Sequence, residues 1–278
     1  MIADLQIDLA EELANTLQSR GAKAKAAHVD VADFLSIQRV VDETSRSWGR
    51  LDYMFNNAAI AVPGELRDHT IEAWDRVIDV NLKGVVSGVQ AAYPLMVAQG
   101  FGHIVNTASM AGLITSPVSA SYSATKHAVV GLSKALRAEA WASGIRVSVL
   151  CPGVIRTPLL EGGKHGILLQ PSGLRRLAEG ELRRLSLQQL ERLRPMDPAL
   201  FAHKVLKQLA RDRAIIIFPS WWRIIWWIER ASPSLGILLA RKFSETTKKQ
   251  RTESIQESGA SLEPSDVAAQ QGDEADRP

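Results

Sequence analysis

Tyr122 and Lys126 stand four residues apart in S-Y-S-A-T-K-H, and Ser109 lies thirteen residues before the tyrosine in H-I-V-N-T-A-S-M-A-G. Residues of these types at this spacing can move a proton at neutral pH without a histidine or a metal. In a helix, Tyr122 and Lys126 are i, i+4 neighbours on one face, about 6 Å apart along the axis. A phenol ordinarily titrates near ~10. An ammonium held beside it favours the phenolate and lowers that value. The expected chemistry is proton transfer between Tyr122 and a substrate oxygen, with Lys126 as the charged partner. Y-x-x-x-K alone recurs by chance in many helices. Its conjunction with Ser109, Asn56-Asn57-Ala58, Asn81 and Pro152-Gly153 is much harder to reach by accident.

The elements that must hold these groups follow from the apolar patterning. Strands are expected at 23–31, 51–56, 103–107, 146–151 and 214–218, and helices at 9–20, 34–48, 71–98, 119–142 and 198–211. Strand and helix alternate, which implies an α/β, doubly wound parallel sheet of Rossmann type. The strand runs are short and lack polar alternation, as strands covered on both faces do. Ser109 then falls at the carboxyl end of a strand, where ligands meet open α/β sheets. Residues 160–197 break the rhythm with Gly162-Gly163, Pro171 and Gly173, and include a leucine- and arginine-rich stretch from Leu174 to Arg194.

Residues 1–219 resemble the short-chain dehydrogenase/reductase family. Five motifs occur in order: Asn56-Asn57-Ala58-Ala59, Asn81 in D-V-N-L-K-G, Ser109, Tyr122 with Lys126, and Pro152-Gly153-Val154-Ile155-Arg156-Thr157. The resemblance implies reversible hydride transfer between a nicotinamide cofactor and a secondary alcohol or ketone. It makes Asn81, Ser109, Tyr122 and Lys126 the catalytic set. Ser109 would orient and polarise the carbonyl, Lys126 would bond the nicotinamide ribose, and Asn81 would hold a water in a relay with Lys126. Plainer roles exist for each: a core ring for Tyr122, a solvated amine for Lys126, a turn hydroxyl for Ser109, and a cap or kink for Asn81. Along the cofactor the resemblance places Asp30 and Val31 at the adenine, and Asn57 and Ala58 beside the chain of the dinucleotide. Ile155 and Thr157, in the Pro152-Gly153 run, would hold the carboxamide. Ala59 departs from the usual glycine by one methyl.

The start of the chain departs further. The resemblance leads one to expect a first strand and a T-G-x-x-x-G-x-G turn, whose glycines admit a pyrophosphate to a helix N-terminus. This sequence has no such run, so the expected fold lacks the first strand and first helix. M-I-A-D reads as the end of the next strand and sets Asp4 at the adenosine ribose. A carboxylate there accepts bonds from both ribose hydroxyls and repels a 2′-phosphate, so NAD is expected over NADP. Two accounts follow: a protein that starts further upstream, or a truncated form that binds cofactor poorly. In both, the chain as written is expected to be unstable or inactive. A truncated, inactive member serving as a binding or interaction protein is the alternative function.

Composition narrows the rest. The 278 residues are 46% hydrophobic and 23% charged, as in an ordinary globular protein. The formal charge of +3 splits into +7 over residues 1–244 and −4 over the tail, too mild and scattered for nucleic acid. One cysteine, Cys151, allows no intrachain disulfide and suits a reducing, cytoplasmic setting; it reads as a buried apolar residue rather than a nucleophile. The opening residues do not make a signal peptide. Metal ligands are not expected. A domain over 1–219 (with 160–197 as a substrate loop) is followed by a tryptophan-rich extension over 220–243 and a polar tail over 244–278, expected to be disordered. The extension holds W-W-R-I-I-W-W-I-E-R, too short to span a bilayer, which needs about 20 apolar residues. It suits a cover over the substrate pocket, a subunit interface, or a helix lying on a membrane surface. With Leu168, Leu169, Leu174, Leu177, Leu182, Leu185 and Leu193 it points to a lipophilic substrate, sterol-, retinoid- or long-chain-like. The family's habit of forming dimers or tetramers implies a homo-oligomer.

Overall fold

A computed structural model describes residues 1–62, 64–157, 159, 191 and 194–257. Six strands lie in two parallel sheets. β1 (Ile2–Asp4) pairs with β2 (Ala26–His28). β3 (Tyr53–Asn56), β4 (Gly102–Thr107), β5 (Ile145–Pro152) and β6 (Ile215–Phe218) pair in that order. The helices are α1 (Ile7–Ser19), α2 (Phe34–Trp48), α3 (Ile71–Ile78), α4 (Gly84–Gln99), α5 (Ala120–Ala140), α6 (Pro198–Leu209), α7 (Trp222–Ala231) and α8 (Pro233–Glu257). Each strand expected from the sequence is present: three are trimmed by up to three residues at an end, while β4 runs one residue further at its start and β5 at both ends. Local chemistry sets the boundaries. Asp33 caps α2 by accepting from the Leu35 N–H at 2.9 Å, and Gly49 ends it with φ 75°. Asp197 caps α6, with Pro198 in its first turn.

Two expectations need correction. Coverage on both faces holds for β4 and β5, where Ile104, Val105, Val147 and Val149 are buried, but not for β3, where Tyr53 and Phe55 are exposed. β3 is an edge: among the described residues no strand pairs with it on the side away from β4, and β1 is not hydrogen-bonded to it. Nor does order end at Ser244. α8 runs on to Glu257, because no proline or glycine interrupts residues 237–257 and Arg241 pairs with Glu245 one turn on. The loop leucines at 168–193 lie outside the described residues.

One buried side chain makes the core pH-sensitive. Ser148 Oγ donates to the Arg213 carbonyl, so the His103 Nε2 it meets at 2.8 Å must carry the ring proton. Nδ1 is then a buried lone pair without a partner. Burial, helped by the Arg146 charge, lowers the His103 pKa to about 4. The unfolded chain therefore binds the extra proton first, and stability falls as pH drops from about 6.5 to about 4. His103→Gln should remove roughly 2–3 kcal/mol of the acid-side loss. Urea melts at pH 7.5 and 4.5 check this: an equal loss in both proteins would refute it.

Candidate active site

β4 ends at Thr107, and the chain turns through Ser109 into a short 3-10 turn at Met110–Gly112. Ser109 Oγ accepts from the Ala111 N–H at 3.2 Å, which fixes its hydroxyl at the strand's carboxyl end. α5 packs beside this turn so closely that a Cβ on Gly112 would lie 2.5 Å from the Lys126 carbonyl oxygen. The packing brings Ser109, Tyr122 and Lys126 together. Tyr122 is half-buried and hydrogen-bonds Ser109. Lys126 is 1% exposed, and its Nζ donates to the Thr107 carbonyl at 2.8 Å while lying 5.4 Å from the centroid of the Tyr122 ring.

The electrostatics differ from the sequence expectation. Burial raises the Tyr122 pKa above the usual phenol value, and only the Ser109 hydrogen bond pulls it back. The Lys126 ammonium, set over the ring face and committed to Thr107, does not offset that burial. Lys126 is itself pushed down to about 8 by burial, with Cys151 acting weakly the other way. Burial drives the Cys151 thiol up to about 12, so it is neutral at pH 7 and packs as an apolar side chain. An ammonium has three donors and Lys126 spends one on Thr107. The other two can serve ligand hydroxyls.

Asn81 is fully buried in a π turn, Asp79–Lys83, between α3 and α4. π turns recur at functional sites because the added residue re-aims a side chain. Here the amide clamps the Ile60 backbone, accepting from its N–H at 2.8 Å and donating to its carbonyl at 2.9 Å. It also reaches Thr125 Oγ1 at 3.3 Å, and that hydroxyl donates to the Tyr122 carbonyl. Asn81 thus joins the loop after Asn56-Asn57-Ala58 to the helix bearing the tyrosine.

Beneath it runs a polar chain that motif reading missed. Asn56 donates to Asn106 at 2.8 Å, Asn106 to Ser133 at 3.0 Å, and Ser133 to the Val129 carbonyl at 2.7 Å. All three side chains are buried, and Gly88 leaves room for Asn56 where any Cβ would collide with its amide oxygen. The available signal was polar residues inside apolar strands, Asn56 in Y-M-F-N and Asn106 in H-I-V-N-T.

The cofactor-side candidates divide between the sheets. Asn57 Oδ1 accepts from Thr107 Oγ1 at 3.1 Å, next to the Lys126 contact, and Ala58 is exposed beside it. Pro152 ends β5, and the Gly153 N–H donates to the Phe218 carbonyl at 2.9 Å. Ile155 is buried, and Thr157 follows half-buried. Asp4 instead ends β1, and Asp30 lies two residues beyond β2, in the other sheet. Both are exposed, and each holds a turn through one carboxylate oxygen, bonding Gln6 N and Ala32 N. Val31 links the halves by packing against Gly84, where an added Cβ would stand 3.0 Å from its side chain.

α7 packs on the far side, where a cover formed by the tryptophan segment was one of three expected placements. Trp222 and Trp226 turn inward and, with Leu113 and Ile114, pack on a buried cluster that includes Cys151 and Ile217. A Cβ at Gly153 would strike the Trp222 indole, whose buried Nε1 has no partner. Glu229 accepts from the Thr115 N–H at 3.0 Å and its hydroxyl at 2.6 Å, tying α7 to the loop that follows Ser109. The turn after Ser109, through Met110, Leu113 and Ile114, therefore has an apolar wall.

The sequence profile of the short chain dehydrogenases matches residues 1–166. Oxidoreductase UcpA of Salmonella typhimurium is 39% identical over 155 residues, covering 55% of this chain and 59% of that protein. The chain thus spans 59% of the length of that curated relative. Cyclohexanol dehydrogenase of an Acinetobacter strain is 35% identical over 184 residues, 65% of this chain and 72% of the other. Among solved structures, a short chain dehydrogenase/reductase from Burkholderia phymatum in complex with NAD superposes with a TM-score of 0.72 at 28% identity, covering 84% of each chain. A gluconate 5-dehydrogenase from Burkholderia cenocepacia, in complex with NADP and tartrate, gives 0.55 at 33% identity over 58% of this chain and 63% of that one. Fold, motif order and sequence agree: the chain belongs to the short chain dehydrogenase family.

Proposed function

We propose that the protein is an NAD-dependent oxidoreductase acting on a lipophilic secondary alcohol or its ketone. The observation that carries this reading is the meeting of half-buried Ser109 and Tyr122 with buried Lys126 at the end of β4. A bound nicotinamide would supply the hydride donor or acceptor. In reduction, Ser109 orients the carbonyl and the Tyr122 phenol gives its proton to the oxygen. Lys126, mostly protonated at pH 7, stabilises the phenolate left behind. Oxidation runs the same steps backwards. Two free Lys126 donors, the orphan Trp222 Nε1 at the Gly153 turn and the exposed Asn57-Ala58 edge fit the nicotinamide half. Asp4, with Asp30 and Val31 just beyond the strand paired with β1, fits an adenosine with a free 2′-hydroxyl, which favours NAD over NADP.

The apolar wall of Leu113, Ile114, Trp222 and Trp226 supports the substrate class. Titration with NADH and NADPH, followed by a panel of secondary alcohols graded from polyols to sterols, tests the reading. NADH should bind more tightly than NADPH, and kcat/KM should rise with apolar size. A preference for small sugars would overturn the substrate class. Failure to bind either nucleotide would favour the interaction protein, for which the separation of β1–β2 from β3–β6 is the supporting observation.

A further inference from the structure

We propose that the outer face of α7 and α8 docks on an anionic lipid surface and sets the catalytic cleft beside it. The second clause rests on the function proposed above; the first does not. The structure splits the tryptophan segment by side. Trp222, Trp226 and Glu229 face the wall of the site, whereas Trp221, Ile224 and Trp227 are 40%, 64% and 59% exposed. α8 continues the apolar surface with Ile237, Leu238 and Leu239 at 57%, 48% and 48%. Of the exposed large apolar side chains among the described residues, a third lie within 221–239. Concentration of this kind marks an interaction surface.

Charge identifies the partner. Arg223, Arg230 and Lys242 are exposed, as is Arg241 in its pair with Glu245, and the one carboxylate within 221–242, Glu229, is turned inward onto Thr115. The Arg230 guanidinium lies about the rings of Trp226 and Trp227, at 5.9 and 6.0 Å. Arginine beside half-exposed tryptophan matches the headgroup layer, where rings meet acyl chains and cations meet phosphate. A second copy fits less well, since a two-fold contact would set the same four cations against themselves. No described helix is long and apolar enough to cross a membrane, so the contact would be peripheral. The inner side of α7 touches Gly153 and Thr115, so the lipid face stands one helix diameter, roughly 10 Å, from the site wall.

Flotation with phosphatidylcholine vesicles, with and without one-quarter phosphatidylglycerol, tests this on the full chain. The protein should float with the anionic vesicles, less so as salt rises, and remain free with the neutral ones. Ile224→Ser with Trp227→Ser should weaken partition at least tenfold, and so should Arg223→Glu with Arg230→Glu. The far-ultraviolet spectrum and NADH affinity should stay unchanged, which separates this from failure of the catalytic reading. Equal flotation of parent and variants would overturn the proposal, as would failure to float with either vesicle. Conversion of a dimer to a monomer by the apolar pair, with vesicle binding intact, would assign the face to a second copy instead.

Discussion

Tyr122→Phe is expected to lower turnover by roughly 10²–10⁴-fold, the usual contribution of a positioned proton donor. NADH affinity should change little, because the substitution removes one oxygen and leaves the ring on which Lys126 rests. The fall should appear in kcat and kcat/KM together, as when an interaction made in the transition state is lost. The pH profile gives a second readout with a defined sign. Lys126 titrates near 8 without ligand, so its support for the phenolate is present below that value and is lost as pH rises through it. Reduction should therefore decline on the alkaline side, and Lys126→Met should abolish that limb along with most of the rate. Steady-state kinetics from pH 6 to 10 check both points. Near-parental turnover by Tyr122→Phe would remove the tyrosine from the chemistry.

Asn81→Leu should cost about 2–4 kcal/mol, since it strands the N–H and the carbonyl of Ile60, two groups that the amide now satisfies. Leucine is close in size, so the loss is one of hydrogen bonding more than volume. In a chain of this size that lowers Tm by roughly 5–15 °C. Catalysis should suffer as well, because the same amide connects to Thr125 and the Tyr122 backbone. Differential scanning fluorimetry with and without NADH separates the effects. A variant as stable as the parent would show that water satisfies Ile60 and that the clamp is dispensable.

Much of this was legible in the sequence because the signals are local. Phe34–Trp48 matches its expected bounds, since Asp33 and Gly49 terminate the helix through their own backbone preferences. Tyr122 and Lys126 share a face because helical geometry requires it. Their electrostatics were not legible. The expectation that Lys126 lowers the Tyr122 pKa weighed only the charge, whereas packing buries Lys126 and half-buries Tyr122, so desolvation dominates. The expected disorder after Ser244 rested on composition and overlooked the helix propensity of residues 244–257.

The sequence by itself determined the alternation of strand and helix, the order of the motifs and the proton-transfer pair. Each of these depends on neighbours within a few positions. Tertiary structure alone decided that Asn81 grips Ile60, that Asn56, Asn106 and Ser133 form one buried chain, and that β1–β2 stands apart from β3–β6. It also decided which tryptophans wall the site and which face outward. These contacts join residues 21 to 114 positions apart, and only the packing of whole elements brings such partners within hydrogen-bond reach.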